Sequence, residues 1–423
     1  MQNISQVISR ISPGQRVFVH GGAATPCRLI EEIIKQKDRL PGLEFIHLHT
    51  EGAGAWGAPE LAGHFKVVNL FVGHNMRRQL DYINNDYLPC FLSEIPSLFR
   101  SKKRRIDVAL LHLASPNSEG KCSLGTSVDV ALAAFDSATV KLAQINTQMP
   151  FVNHEPLLSK QELTAWCSVD DEIPEMRPAS VSEVDQKIGQ YVANLVQDGD
   201  CLQVGIGGVP NAALAALKSH KHLGIHSEMW SDGVLDLIEA GAVDNSRKML
   251  YPGITVSSFI IGTKRVYQFI HNNPQVLQLG ADYVNNPRVI SSNPNVVSIN
   301  SAVEIDLTGQ VCADSVGHRI ISGVGGQVDF IRGAQISQGG RVIIALPSQT
   351  KTGKSRIVHE LMPGAGVVST RAHVHFIVTE FGAVDLYGMT LHERAKALTQ
   401  IAHPSHREQL EREWFNCHRS CDN

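Results

Sequence analysis

Long hydrophobic runs are missing from this chain of 423 residues. The best, Val108 to Leu113, is interrupted by His112 and falls far short of the ~18 apolar residues that a bilayer-spanning helix requires, so a soluble protein is expected. The start, Met1-Gln2-Asn3-Ile4-Ser5, has neither the basic residues nor the apolar block of a secretory signal, which points to the cytoplasm. An excess of either charge is missing too. The 38 lysines and arginines against 41 acids leave a net charge of −3, with no long-range attraction for nucleic acid or an anionic membrane. Aromatic residues make up only 6% and are not interleaved with basic ones, so there is no platform for base stacking. The one dense basic run, Lys102-Lys103-Arg104-Arg105, reads as a solvated loop. The eight cysteines lack framework spacing, which fits reduced thiols. Metal-ligand sets are lacking as well: Cys417, His418 and Cys421 have no partner pair, and His47 with His49, or His373 with His375, alternate along strands without a third ligand.

What is present is a globular composition, 43% hydrophobic and 19% charged, at a length that suggests two large domains. In residues 16–26 an alternating apolar strand ends in Gly21-Gly22, and Pro26 opens a helix carrying Leu29, Ile30 and Ile33. Residues 44–49 and 66–72 read as strands, Gly73 to Arg78 as the start of a helix, and 106–113 as a buried central strand. A helix over 128–135 and a strand over 139–145 follow. Prolines and acids then gather in 172–179, as in a linker. Beyond it, a helix over 182–196 leads into a second apolar strand that ends in paired glycines, Gly205-Ile206-Gly207-Gly208, ahead of Pro210. One device recurring about 186 residues later suggests an internal duplication. Residues 256–261, 296–305, 341–346 and 374–378 are the later strands. Strands alternating with helices make the fold class α/β: two similar open domains with mostly parallel sheets, residues 1–180 and 181–423.

Glycines at a strand's end let a backbone approach a ligand closely, and the helix after them directs free N–H groups at anions, so Gly205 to Val209 is a candidate phosphate-ligand turn. The spacing is not that of a dinucleotide fingerprint. In Gly224-Ile225-His226-Ser227-Glu228-Met229-Trp230-Ser231-Asp232-Gly233, one carboxylate, Glu228, stands between a short apolar run and a helix beginning near Ser231 or Asp232. Alone it reads as a helix-start carboxylate. With the side-chain amide of Asn293 and the backbone N–H groups of Gly325-Gly326 it becomes a nucleophile with the parts of an oxyanion hole.

Four ordered motifs carry a resemblance over nearly the whole chain: Gly205-Ile206-Gly207-Gly208-Val209-Pro210; His226 to Gly233; Val297-Ser298-Ile299-Asn300-Ser301; and Ser322-Gly323-Val324-Gly325-Gly326-Gln327-Val328-Asp329-Phe330. The sequence resembles the acetyl-CoA hydrolase/transferase family. The resemblance implies two similar α/β domains with the active site between them, the first on the acyl side and the second carrying the glutamate and the CoA site. It implies ping-pong transfer of CoA between a short-chain acyl-CoA (acetyl-, butyryl- or 4-hydroxybutyryl-CoA) and a short-chain carboxylic acid. Glu228 is then the nucleophile and carries a glutamyl-CoA thioester, Gly326 supplies the oxyanion amide, and Asn293 is the side-chain donor. Gly205, Ile206, Gly207, Gly208 and Val209 line the CoA path, joined by Val303, Ser322 and Gly325. Coenzyme A is substrate and covalent intermediate, with no metal and no permanently bound cofactor. Gln338 stands where relatives often have lysine, which removes a phosphate contact there and leaves Lys351 and Lys354 as nearby charges. A homodimer is expected on base rates. Two other classes are a hydrolase, in which water takes the acyl group, and a non-catalytic CoA- or sugar-phosphate-binding protein, which would have no use for Glu228, Asn293 and Gly326 together.

Overall fold

Strands form where the apolar density is highest. In Val108–Ala114 every residue is buried, which requires pairing on both edges and cover on both faces. The structure, a computed structural model, describes residues 2–419 and meets that requirement with a seven-stranded sheet. Its strands are β1 (Arg16–Val19), β2 (Leu43–His47), β3 (Phe65–Asn69), β4 (Asn85–Tyr87), β5 (Val108–Ala114), β6 (Val140–Asn146) and β7 (Ala165–Val169). They run in the order β4-β3-β2-β1-β5-β6-β7, and every neighbouring pair is parallel.

The second half repeats the plan. Strands β8 (Cys201–Val204), β9 (Gly224–Trp230), β10 (Thr255–Ile260), β11 (Val276–Gln278), β12 (Val296–Asn300), β13 (Arg341–Ala345), β14 (Phe376–Thr379) and β15 (Gly382–Asp385) build a second sheet. Its order is β11-β10-β9-β8-β12-β13-β14-β15, parallel except for the last pair. Through β14 this order matches the first sheet strand for strand. The paired-glycine turns follow the corresponding strands β1 and β8, as the repeat in the sequence suggests. Residues 170–182 between the sheets have no regular secondary structure, and the proposed domain boundary after residue 180 falls there.

A capping box restarts the chain. Ser182 Oγ accepts from the Asp185 amide at 3.1 Å while the Asp185 carboxylate accepts from the Ser182 amide at 3.0 Å, a motif worth about 1 kcal/mol. It opens the helix Glu183–Ala193, which packs tightly on the helix Gly208–Ala216: a Cβ on Gly189 would lie 2.6 Å from the Ala212 carbonyl carbon. A Cβ on Gly208 would lie 2.8 Å from the Asp185 carboxylate. The glycine turn is thus seated by the helix before it.

The two sheets share an interface. The Val128 and Asp129 amides donate to the Ser258 carbonyl at 3.0 and 3.1 Å, and the Ile260 amide donates to the Thr126 carbonyl at 2.8 Å. One apolar cluster crosses the seam, joining Ala23, Ala24, Met149 and Val152 to Met229 and Trp230. No helix among the described residues is long and apolar enough to cross a membrane.

Two expected elements differ. Residues 74–79 form turns instead of a helix, because Asn75 Nδ2 donates back to the carbonyls of Thr50 and Gly52 at 3.1 and 3.2 Å and ties the segment to the loop after β2. The strand expected over 296–305 is broken. Its second part, Glu304–Asp306, leaves the main sheet to pair with Ile357–Val358 in a three-stranded sheet. In the C-terminal tail, the His418 side chain and Cys421 lie outside the described residues.

Candidate active site

Glu228 lies within β9, four residues before the helix Asp232–Glu239, so the helix-start role does not apply to it. Asp232 instead ties that helix down by accepting from Thr263 N at 3.0 Å and Thr263 Oγ1 at 2.5 Å. The period-two alternation of a strand puts His226 and Glu228 on one face. His226 Nε2 meets the Val284 carbonyl at 2.9 Å, and Glu228 Oε2 accepts from Asn285 Nδ2 at 3.0 Å. Gly326, at the start of the helix Gln327–Ile336, closes over the carboxylate: a Cβ there would sit 2.0 Å from Glu228 Oε2 and 2.1 Å from Asn285 Nδ2.

The glycine loop that ends in Gly326 is held by the first half. The Val72 amide donates to the Ser322 carbonyl at 3.2 Å and the Leu92 amide to the Gly325 carbonyl at 3.1 Å. Val324 N donates to Tyr87 Oη at 3.0 Å. Phe71 packs under Gly323, where a Cβ would meet its ring at 2.9 Å. Asp329, within the first turn of the helix, accepts from Ser93 Oγ at 2.8 Å and Ser93 N at 3.1 Å.

Three carboxylates therefore share the seam. Burial pushes Glu228 up to about 7; Asp329 and Asp129 add to the rise, and hydrogen bonds from Asn285 and the Gly326 amide oppose it. Burial likewise lifts Asp329 to about 7, opposed by Ser93 and reinforced by Glu94. A carboxylate in such a setting is ionised for part of the time near neutral pH and meets its reaction partner with little water around it.

The other residues expected from the sequence fall into two groups. Val204 pairs with Ser227 through two 3.4 Å hydrogen bonds, so the turn Gly205, Ile206, Gly207, Gly208, Val209 leaves its strand beside Glu228. Gly207 has φ +123°, a conformation reserved for glycine, and Ile206 is 45% exposed. Ile206, Gly207, Asn211, Ser231 and Asp232 line a cavity of about 350 Å³ together with Arg77 of the first half. Val303 follows the carboxyl end of β12, its amide donating to the Cys312 carbonyl at 2.8 Å. Ser322, Gly325 and Gly326 belong to the docked loop.

Asn293 is elsewhere, and its expected place beside Glu228 is corrected. Its Oδ1 accepts from the Met249 and Leu250 amides at 3.1 and 3.0 Å. Pairing of Cys201 with both Gly224 and Val296 sets Val296 level with Gly224, four residues below Glu228. Asn293, before Val296, braces the amino end of the sheet. The side-chain amide at Glu228 is that of Asn285. Gln338 is also at the amino end, where its carbonyl accepts from the Asn295 amide at 2.8 Å, and Lys351 and Lys354 are exposed. Asn285 and Ser93 carried no local signal, and Asp329 was visible only as part of a motif.

Residues 1–174 match the family model for the acetyl-CoA hydrolase/transferase N-terminal domain, and residues 262–414 match that for the C-terminal domain. The chain belongs to the acetyl-CoA hydrolase/transferase family. Within this family it is 48% identical to the succinyl-CoA:acetate/propanoyl-CoA:succinate CoA transferase of Fasciola hepatica, over 98% of this chain and 87% of that one. It is 43% identical to the 4-hydroxybutyrate coenzyme A transferase of Clostridium kluyveri, over 97% of this chain and 96% of the relative. The solved 4-hydroxybutyrate CoA-transferase of Porphyromonas gingivalis superposes with a TM-score of 0.85 at 39% identity, covering 98% of this chain and 97% of that chain. The protein is an enzyme of the CoA-transferase class.

Proposed function

We propose that this enzyme moves CoA between a short-chain acyl-CoA, such as acetyl-, butyryl- or 4-hydroxybutyryl-CoA, and a short-chain carboxylic acid, through a thioester on Glu228. The observation that carries this reading is the contact of Glu228 Oε2 with the Asn285 amide and the backbone of Gly326 at the seam of the two sheets. Ionised Glu228 attacks the thioester carbonyl, and collapse of the tetrahedral adduct breaks the C–S bond to give a mixed anhydride and CoA thiolate. The thiolate then attacks the glutamyl carbonyl, releasing the first acid as its carboxylate and leaving glutamyl-CoA. A second carboxylate runs the steps in reverse and departs as its CoA ester. Over each half-reaction one thioester and one carboxylate are exchanged for another thioester and another carboxylate, so the net exchange stays near balance. Each adduct develops an oxyanion for which the Gly326 N–H and Asn285 Nδ2 are the nearest donors, and loss of one such donor costs about 2.7 to 4 kcal/mol. The glycine turn Gly205 to Val209, with Val303, Ser322 and Gly325, receives CoA. Homodimeric assembly belongs to the same reading as an expectation from base rates, and a cytoplasmic location as an expectation of the sequence.

Incubation with butyryl-CoA or acetyl-CoA and no acceptor acid is expected to leave a CoA-sized mass on the peptide containing Glu228, discharged by added carboxylate and absent from Glu228→Ala. Free CoA accumulating without added acid would turn the reading to a hydrolase. Absence of both adduct and turnover with every short acyl-CoA would defeat it.

Because only the ionised carboxylate attacks, kcat/KM for the acyl-CoA is expected to climb with pH through about 7, the value to which burial lifts Glu228, and then level off. A profile measured from about pH 5.5 to about pH 8.5 that stays flat or falls would contradict this assignment.

A further inference from the structure

The cavity beside the glycine turn is lined by two arginines, Arg77 and Arg177, and by one carboxylate, Asp232. Arg77, from the first half, lines it opposite Ile206, Gly207 and Ser231. Among the described residues no carboxylate approaches the Arg77 guanidinium within 4.0 Å and it makes no side-chain hydrogen bond. Asp232, in the same wall, is taken up by Thr263, and Glu51 turns to His49 at 3.6 Å. A second guanidinium with no ion pair among the described residues, the exposed Arg319, comes from the other half on the hairpin Ser315–Val316 and Arg319–Ile320. That hairpin is held against the first half, Ile320 N donating to Tyr82 Oη at 3.3 Å and the Val72 amide reaching the Ser322 carbonyl at 3.2 Å.

Arg77 and Arg319 both keep contact with solvent, and like charges set on the two sides of a seam repel each other. Desolvation first and then the like charge of Arg319 lower the proton affinity of Arg77 from its ordinary value, while the guanidinium stays charged. His49, Glu51 and His74 place one ligand atom each within 4.8 Å of one another beside it, but the adjoining guanidinium works against a metal cation there. An anion relieves every one of these costs. Arg is also the side chain best suited to grip a carboxylate or phosphate with two parallel N–H bonds.

We propose that Arg77 is the seat for an anionic oxygen group of a substrate, distinct from the carboxylate that reacts at Glu228. It rests on the CoA-transfer reading for the identity of that substrate. The group is either the second carboxylate of a short dicarboxylic acid or a phosphate of CoA, and the two sources separate in one experiment.

Arg77→Met and Arg77→Lys are compared with the unmodified enzyme, using succinate and butyrate as acceptors because both have four carbons and differ in the terminal charge. If the seat takes a carboxylate, Arg77→Met lowers the succinate-to-butyrate ratio of kcat/KM by about tenfold or more, and Arg77→Lys restores part of it. If it takes a phosphate, KM for the acyl-CoA rises by about tenfold with either acid and the ratio stays put. A variant that changes neither quantity overturns the proposal, as does an equal loss of kcat with both acids accompanied by a lowered melting temperature. Thermal shifts of the unmodified protein by succinate and by pyrophosphate, lost in Arg77→Met, report the seat independently of turnover. A protein that shows those shifts but no transfer would refute the transferase reading and keep the seat.

Discussion

Replacing Glu228 by glutamine is expected to abolish CoA transfer and, at pH 8, to make the fold more stable. Activity should fall on the order of 10⁴-fold or more, because an amide cannot form the anhydride or the thioester. Geometry is preserved: the glutamine carbonyl can accept from Asn285 as Oε2 does at 3.0 Å, and the like-charge repulsion from Asp329 and Asp129 is removed. The stability term follows from linkage. The folded-state value of Glu228, about 7, lies above the ordinary 4.5, so its favourable contribution is complete below about pH 4.5 and is lost as pH rises through 7. Each unit corresponds to about 1.4 kcal/mol, and allowing for the partial exposure of the side chain the gain at pH 8 is about 1–2 kcal/mol. Asp329 is raised in the same direction, and the charge repulsion between it and Glu228 disappears in the variant. Urea denaturation at pH 5 and pH 8 checks this. The gap between variant and unmodified protein should open as pH rises, and equal stability at both pH values would show that Glu228 carries no such strain.

Gly326→Ala is the second large effect, and its cause is space. Gly326 has φ −99° and ψ 8°, a backbone that alanine adopts freely, so the fold should survive. The new methyl would lie 2.0 Å from Glu228 Oε2 and 2.1 Å from Asn285 Nδ2, well inside contact distance. Carboxylate, amide donor or both must move by about an ångström, and a displacement of that size at reacting atoms costs about 10²-fold or more in rate. The expected result is a kcat lowered by about two to three orders of magnitude, with circular dichroism and melting temperature close to the unmodified enzyme. Near-normal turnover would show that Glu228 works from a position away from Gly326. Gly325 is glycine for another reason: its φ of +54° strains any residue with a Cβ, so alanine there should weaken the loop itself.

Much of this was legible from local pattern. The apolar run at Val108 announces a central strand because burial on both faces leaves no polar position. Paired glycines after two apolar strands marked corresponding places in two similar sheets, since a chain that turns from a buried strand directly into a helix needs residues without side chains. The four motifs singled out Glu228 and Gly326, and these two residues are in contact.

The failures also have a physical pattern. A helix was expected from Gly73 because its residues permit one, but Asn75 finds better partners in a loop more than twenty residues earlier in the chain. The run over 296–305 was apolar enough for one strand, yet two sheets compete for it. Asn293 and Asn285 are chemically alike and eight positions apart. Which of them meets Glu228 depends on strand register, which places Asn293 at the amino end of the sheet and Asn285 against its face.

The sequence by itself determined the elements that short-range spacing controls: strands, the glycine turns, the repeat and the nucleophile candidate, because apolar periodicity and backbone freedom act over a few residues. The tertiary structure alone decided the surroundings of that carboxylate, because they come from contacts such as Asn285 with Glu228 across 57 residues and Ser93 with Asp329 across 236. It likewise decided that Arg77 of the first half lines one cavity with Ile206, Gly207 and Ser231 of the second, an arrangement that exists only once the two sheets have closed on each other.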